Sequence, residues 1–162
     1  MNALEPIRTI LFVPGSRPEK IDKALQTQAD AVIIDLEDAV PIKLKAEARK
    51  TAKDKLQAHP EKKVFVRVNA LSTDYIEKDI QEILVPELAC IMVPKVENIQ
   101  DMHVIDAYLA KAEEQLGLQQ NSFRVIPLIE TALAVQNIYE IVAEELPNKR
   151  LFTVAFGAAD YA

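Results

Sequence analysis

The chain of 162 residues is 49% hydrophobic with a net charge of −6, which together exclude a disordered segment and a surface built to neutralise nucleic-acid phosphates. Its single cysteine, Cys90, excludes an internal disulfide, and with only His59 and His103 there is no Cys/His cluster of the zinc-binding kind. No apolar run approaches membrane-spanning length, and the leading Met-Asn-Ala-Leu-Glu-Pro has neither the cationic start nor the apolar core of a signal peptide, so a cytoplasmic protein with no membrane partner is expected.

Taken in order, Thr9 to Pro14 is an apolar strand, and Gly15 lets the chain turn out of it. Ser16-Arg17-Pro18-Glu19 has the form of a capping box opening a helix in which Ile21, Ala24 and Leu25 recur at helical spacing. A second strand runs from Ala31 to Leu36, and a helix from about Leu44 to Ala58 is stopped by His59-Pro60. Val64 to Asn69 is a third strand. Its alternation places Phe65, Arg67 and Asn69 on one face and Val64, Val66 and Val68 on the other. A helix over Tyr75 to Leu84, a strand over Cys90 to Val93 and a helix over Ile99 to Leu116 follow. The apolar run from Arg124 ends on a carboxylate, Glu130, and gives way to a helix from Ala132 to Glu145, closed by Pro147-Asn148. Leu151 to Phe156 is the sixth strand.

Strict alternation of strand and helix, with strand starts near residues 9, 31, 64, 90, 124 and 151, predicts a parallel sheet. Such a sheet is either doubly wound and open or six strands of a (β/α)8 barrel. No Gly-x-Gly-x-x-Gly or Walker pattern follows a strand, which speaks against an open nucleotide-binding sheet. A complete barrel takes about 250 residues, so as a barrel this would be a partial one lacking two strands. Polar residues gather at the strand ends: Asp35, Glu37 and Asp38 after the second, Arg67 and Asn69 on the third, Lys95 and Glu97 after the fourth, Glu130 after the fifth and Asp160 after the sixth. That is where α/β folds bind ligands. An arginine on a buried strand needs an anionic partner, either a neighbouring carboxylate (Asp35 or Glu37) or a ligand. One of Asp35, Glu37 and Asp38 is expected to be structural, and Lys95 and Glu97 read equally as a solvated pair or as site residues.

The segments LFVPGSRPEK, ADAVIIDLEDAV, VFVRVNA, MVPKVEN, PLIETA and AFGAAD stand in the order found in the citrate lyase β-subunit and CoA-ester lyase group of the HpcH/HpaI aldolase superfamily, which the chain resembles from Arg8 to Ala162. The resemblance implies an α/β (β/α)8 barrel, here truncated to a single partial domain of about six strands. It implies Mg²⁺-dependent carbon–carbon bond cleavage or formation in a 3-hydroxyacyl thioester such as malyl-, citramalyl- or citryl-CoA, with Mn²⁺ as an alternative metal. Residue by residue, it assigns Glu130 and Asp160 to the metal and Arg67 and Glu130 to substrate oxygens. It gives catalytic roles to Arg67, Glu37 and Asp38, and contact with the CoA moiety to Phe12, Lys20 and Lys23. As partners it implies an acyl-CoA or acyl-carrier-protein thioester, a homo-oligomer (trimer or hexamer) and other citrate lyase subunits. An acid/base carboxylate is then expected from a C-terminal segment with no counterpart here. An aldolase acting on free 2-oxo acids and a non-catalytic subunit are the alternative readings.

Overall fold

The computed structural model describes residues 7–143 and 150–161. Among them, β1 (Ile10–Pro14), β2 (Ala31–Asp35), β3 (Val64–Arg67), β4 (Cys90–Val93), β5 (Arg124–Ile129) and β6 (Ala155–Phe156) form one parallel sheet in the order β1-β2-β3-β4-β5-β6. Between them run α1 (Pro18–Leu25), α2 (Lys45–Ala58), α3 (Ile76–Ile83), α4 (Ile99–Gln115) and α5 (Ala132–Ala143), and α6 (Ala158–Tyr161) follows β6. Strand order that never reverses has no switch point of the doubly wound kind. The strands instead curl into a half-barrel with the helices outside.

The two faces of the sheet confirm this. Val32, Ile34, Val66 and Ile91 pack outward into one core with Ile21 and Ala24 of α1, Ala48, Ala52 and Leu56 of α2, Ile80 of α3 and Ile105 of α4. The inward face has its own smaller cluster, Ile33, Phe65, Cys90, Met92, Ile126 and Leu128, to which no helix contributes among the described residues. Strands buried on both sides read as continuous apolar runs, which is why β2 and β4 are so plain in the sequence. The outer strands differ: Ile10, Leu11, Phe12 and Phe156 are exposed.

Several local expectations change. Ser16 does not cap α1. Arg17 takes the N-cap position, and its N–H donates to the Pro14 carbonyl in a tight turn that holds Ser16 inside it. Glu19 is thereby the second helical residue, one place too early to close a capping box. The capping box forms at α4, where Asn98 Oδ1 accepts from the Asp101 N–H at 3.0 Å and Asp101 Oδ2 accepts from the Asn98 N–H at 3.3 Å. Gly15 does not serve a left-handed turn; it is needed for space, since a Cβ there would lie 2.9 Å from a Leu36 methyl. β3 ends at Arg67, so its alternation does not reach Asn69. That side chain bonds instead to Asp79 of α3 and accepts from the Lys45 ammonium of α2. The expected sixth strand shortens to two residues plus an isolated bridge between Leu151 and Val125. The expectations for Glu144, Glu145, Pro147 and Asn148 lie outside the described residues.

Candidate active site

Register sets the centre of the site. Asp35, the last residue of β2, pairs directly with Arg67, the last of β3, and both point into the barrel. The guanidinium lies along the carboxylate, Nε donating to Oδ1 at 2.7 Å and Nη2 to Oδ2 at 2.8 Å, a two-point grip that fixes its plane. The same carboxylate accepts the N–H groups of Glu37 and Ala39, folding the turn after β2 around itself. Asp35 is therefore the structural member of the three acids after β2. The guanidinium's third corner, Nη1, meets Glu37 Oε2 at 3.0 Å, and the Phe12 ring centroid stands 5.5 Å from its carbon. Burial alone would lower the Arg67 pKa, but the hydrogen bonds and charge of Asp35, with the charge of Glu37, hold it above its ordinary value.

Glu130, immediately after β5, is the second centre. It is only 2% exposed, and its Oε1 accepts the Lys95 backbone N–H at 2.9 Å. Its Oε2 is buried with no hydrogen-bond partner. Burial, together with the like-charged carboxyl of Asp160 close beside it, pushes the Glu130 pKa up to about 7 against the single Lys95 N–H. Gly157 makes this close approach possible. Its N–H donates to the Ile129 carbonyl at 2.8 Å, and a Cβ there would stand 2.7 Å from Glu130 Oε2. β6 thus carries Asp160 towards Glu130 across a residue where any side chain would crowd the glutamate.

Phe12, Asp35, Arg67, Glu130, Gly157 and Asp160 line one open cavity of about 570 Å³ at the carboxyl ends of the strands. Glu37 and Asp38 lie on an adjoining depression with Lys45, Asn69 and Lys95; Glu37 reaches Arg67 from there, and Asp38 is exposed on its rim. Lys20 and Lys23 share a third groove, of about 350 Å³, with the other side of Phe12. The expected site residues therefore fall into three adjacent recesses, joined by Phe12 and by the Arg67–Glu37 pair. Gly157 borders the cavity without having stood out in the sequence, and Lys95, left open there between a solvated pair and a site residue, lies against both Glu130 and Glu37. For Gly157 the signal was its place in AFGAAD, three residues before Asp160; for Lys95 it is a backbone conformation no sequence pattern displays.

The magnesium that the resemblance implies can be tested against these groups. Two carboxylates around an oxygen that lacks a partner suit a hard divalent cation, which takes one or two protein carboxylates and leaves its other positions to water or substrate. Among the described residues no third His, Cys, Asp or Glu joins them to make an all-protein cage. The donor set fits Mg²⁺ on those terms.

The sequence model described as HpcH/HpaI aldolase/citrate lyase matches residues 8–162. The chain belongs to this family. It is 38% identical to a citrate lyase subunit beta-like protein of Deinococcus radiodurans, over 96% of this chain and 52% of that protein. It is 36% identical to an L-malyl-CoA/beta-methylmalyl-CoA lyase of Cereibacter sphaeroides, over 97% of this chain and 50% of the lyase. The crystal structure of CitE from Mycobacterium tuberculosis in complex with magnesium and acetoacetate superposes with a TM-score of 0.71 at 31% identity, over 99% of this chain and 58% of that one. The chain thus spans about half the length of the HpcH/HpaI relatives it matches. Among the described residues no helix is long and apolar enough to cross a membrane.

Proposed function

We propose that this chain carries the metal and oxo-acid side of a carbon–carbon lyase that cleaves or condenses a 3-hydroxyacyl thioester such as malyl-, citramalyl- or citryl-CoA, giving acetyl-CoA and a 2-oxo acid. The observation that carries the reading is one cavity holding a buried carboxylate oxygen with no partner (Glu130), a second carboxylate beside it (Asp160) and a rigidly held arginine (Arg67). The similar Mycobacterium tuberculosis protein, which holds magnesium and a small acid, supports it.

Glu130 and Asp160 would hold Mg²⁺, with Mn²⁺ as the alternative. When bound, such an ion supplies a Lewis acid that polarises the oxygens of a 2-hydroxy or 2-oxo acid. Arg67 lines the same cavity. Asp35 locks its orientation, and the N–H groups not engaged by Asp35 and Glu37 are free to bind substrate oxygen and to stabilise negative charge as the bond breaks. Because that orientation exists before binding, little reorganisation opposes the transition state. The Phe12 ring stands against the guanidinium, 5.5 Å from its carbon to the ring centroid. On its far side the groove with Lys20 and Lys23 offers two cations to the phosphates of CoA. Glu37 and Asp38 act on Arg67 by charge from the neighbouring depression.

The remaining partners follow from the half-length match. In this reading the exposed strands β1 and β6 are the edges on which the other strands of an eight-stranded barrel pair, and the general acid or base comes from outside the residues described. A second copy, other citrate lyase subunits or an acyl carrier protein bearing the thioester complete the assembly.

The deciding experiment is a thioester panel (malyl-, citramalyl- and citryl-CoA) offered to the full-length protein with Mg²⁺ and with EDTA, beside the Glu130→Gln variant. Metal-dependent release of acetyl-CoA that disappears in the variant is expected. A folded, Mg²⁺-binding protein that turns over none of the thioesters but cleaves free 4-hydroxy-2-oxo acids would replace this reading with an aldolase.

A further inference from the structure

Lys95 stands between buried Pro94 and Val96 with a backbone φ of +55°, in the left-handed region that side chains other than glycine and asparagine seldom adopt. The only other such non-glycine residue among those described is an asparagine, Asn121, in a turn. Such a conformation persists when the surroundings hold it, and here both ends of the residue are held. Its N–H donates to Glu130 Oε1 at 2.9 Å, while its ammonium reaches back to Glu37 Oε1 at 3.5 Å. One residue therefore touches the carboxylate assigned to the metal and the carboxylate that pairs with Arg67.

The backbone contact needs only an N–H, which glycine would supply without strain. The side chain must then be explained by what the ammonium does. Glu37 is 8% exposed and divides its two oxygens between cations, Oε2 to Arg67 at 3.0 Å and Oε1 to Lys95. Its Oε2 is not aligned for a hydrogen bond to Arg67, so charge is what joins them. Asp35, Glu37 and the exposed Asp38 gather negative charge around Arg67, and Lys95 is the cation that meets the second oxygen of Glu37. Without it, Arg67 would be the one cation paired with the Glu37 carboxylate among the described residues, and the added surplus of negative charge would oppose any anion approaching Arg67.

We propose that Lys95 is a positioning residue for anion binding: its left-handed backbone aims one end at Glu130 while its ammonium neutralises Glu37 and so leaves Arg67 able to bind the carboxylate of a 2-oxo or 2-hydroxy acid. This rests on the lyase reading above, but its test does not require turnover. Pyruvate binding in the presence of Mg²⁺ is measured by calorimetry for the full-length wild type, Lys95→Gly, Lys95→Asn and Lys95→Arg, with melting temperatures and Mg²⁺ titrations alongside. Glycine and asparagine both tolerate the backbone, so the two variants separate charge from strain.

The expected result is about a tenfold loss of pyruvate affinity in the Gly and Asn variants, near-normal binding in Lys95→Arg, and Mg²⁺ binding and melting temperature maintained in all. The stability is expected to hold because Lys95 is half-exposed, its contact of 3.5 Å is long, and Glu37 keeps Arg67 as a counter-ion. Wild-type pyruvate affinity in Lys95→Gly would overturn the proposal. So would a loss that comes with a fall in melting temperature and in Mg²⁺ binding, since that would make Lys95 a structural residue. Wild-type protein that binds Mg²⁺ but no pyruvate would remove the lyase reading, and this inference with it.

Discussion

Two buried glutamates sit at opposite ends of the half-barrel, and they are treated in opposite ways. Glu113 of α4, 0% exposed, is saturated: its carboxylate accepts from both Nη atoms of Arg150, at 2.8 and 2.7 Å, and from the N–H groups of Asn121, Ser122 and Phe123. Glu130, at 2%, has one backbone N–H and a like-charged neighbour. Burial pushes both pKa values upward; Arg150 and the amides of Asn121 and Phe123 hold Glu113 below its ordinary value, whereas Asp160 drives Glu130 further up. The first arrangement closes the amino end of β5 against α4, with Arg150 also paired to Asp106. The second leaves an oxygen without a partner at the carboxyl end. Equal burial with unequal satisfaction separates a structural ion pair from a site prepared for a cation.

The contrast can be broken most forcefully at its saturated end. Arg150→Met leaves Glu113 as a buried charge without its counter-ion and is expected to destabilise the fold by about 3–5 kcal/mol, measured by urea denaturation. A loss below ~1 kcal/mol would mean that the three amides suffice and that the ion pair is incidental. At the other end, Gly157→Ala forces a methyl group against Glu130 and is expected to cost about 1–3 kcal/mol while weakening Mg²⁺ binding, read by the same denaturation and by metal titration. Unchanged metal affinity would show that β6 need not approach so closely.

Opposite pKa shifts also make opposite pH dependences. A carboxyl held below its ordinary value contributes stability that is present above about pH 4.5 and is lost as pH falls, so Glu113 belongs to acid unfolding. A carboxyl raised to about 7 contributes stability that is present below pH 4.5 and is lost as pH rises towards 7, so metal-free protein should weaken there on account of Glu130. Glu130→Gln is expected to remove that loss and to be more stable than wild type by about 1–2 kcal/mol at pH 8 without metal. Added Mg²⁺ should reverse the order by stabilising only the wild type. Melting curves in EDTA and in Mg²⁺ across pH 5 to 8 would test it, and identical profiles for the two proteins would dissolve the comparison.

The smallest effects concern helix starts, where the sequence was misleading. Asn98→Ala removes a formed capping box and should cost about 1 kcal/mol, whereas Ser16→Ala should change stability by less than ~0.5 kcal/mol. Both differences are measurable by thermal denaturation. Ser16 had the right residue types at the right spacing, but the tight turn from Pro14 to Arg17 moved the helix start by one residue. Lys95 was ambiguous for a related reason: nothing in Pro94-Lys95-Val96 announces a left-handed backbone, which follows from contacts with Glu130 and Glu37, far away in the chain.

What the amino-acid sequence determined by itself is the periodic part of this protein. Apolar runs, helical spacing and their alternation depend on near neighbours, so they yield six parallel strands with helices between them, and they place Arg67, Glu130 and Asp160 at strand ends. Periodicity left a curled half-barrel and an open sheet both standing; the motifs shared with the family pointed to the barrel, and the unreversed strand order bears that out. Which of Asp35, Glu37 and Asp38 pins Arg67 came from register, because pairing Asp35 with Arg67 puts their charges side by side. That Glu130 lacks a partner while Glu113 has several was likewise decided in three dimensions. Hydrogen-bond satisfaction is a property of what surrounds a group after folding, and residues dozens of positions apart supply those surroundings.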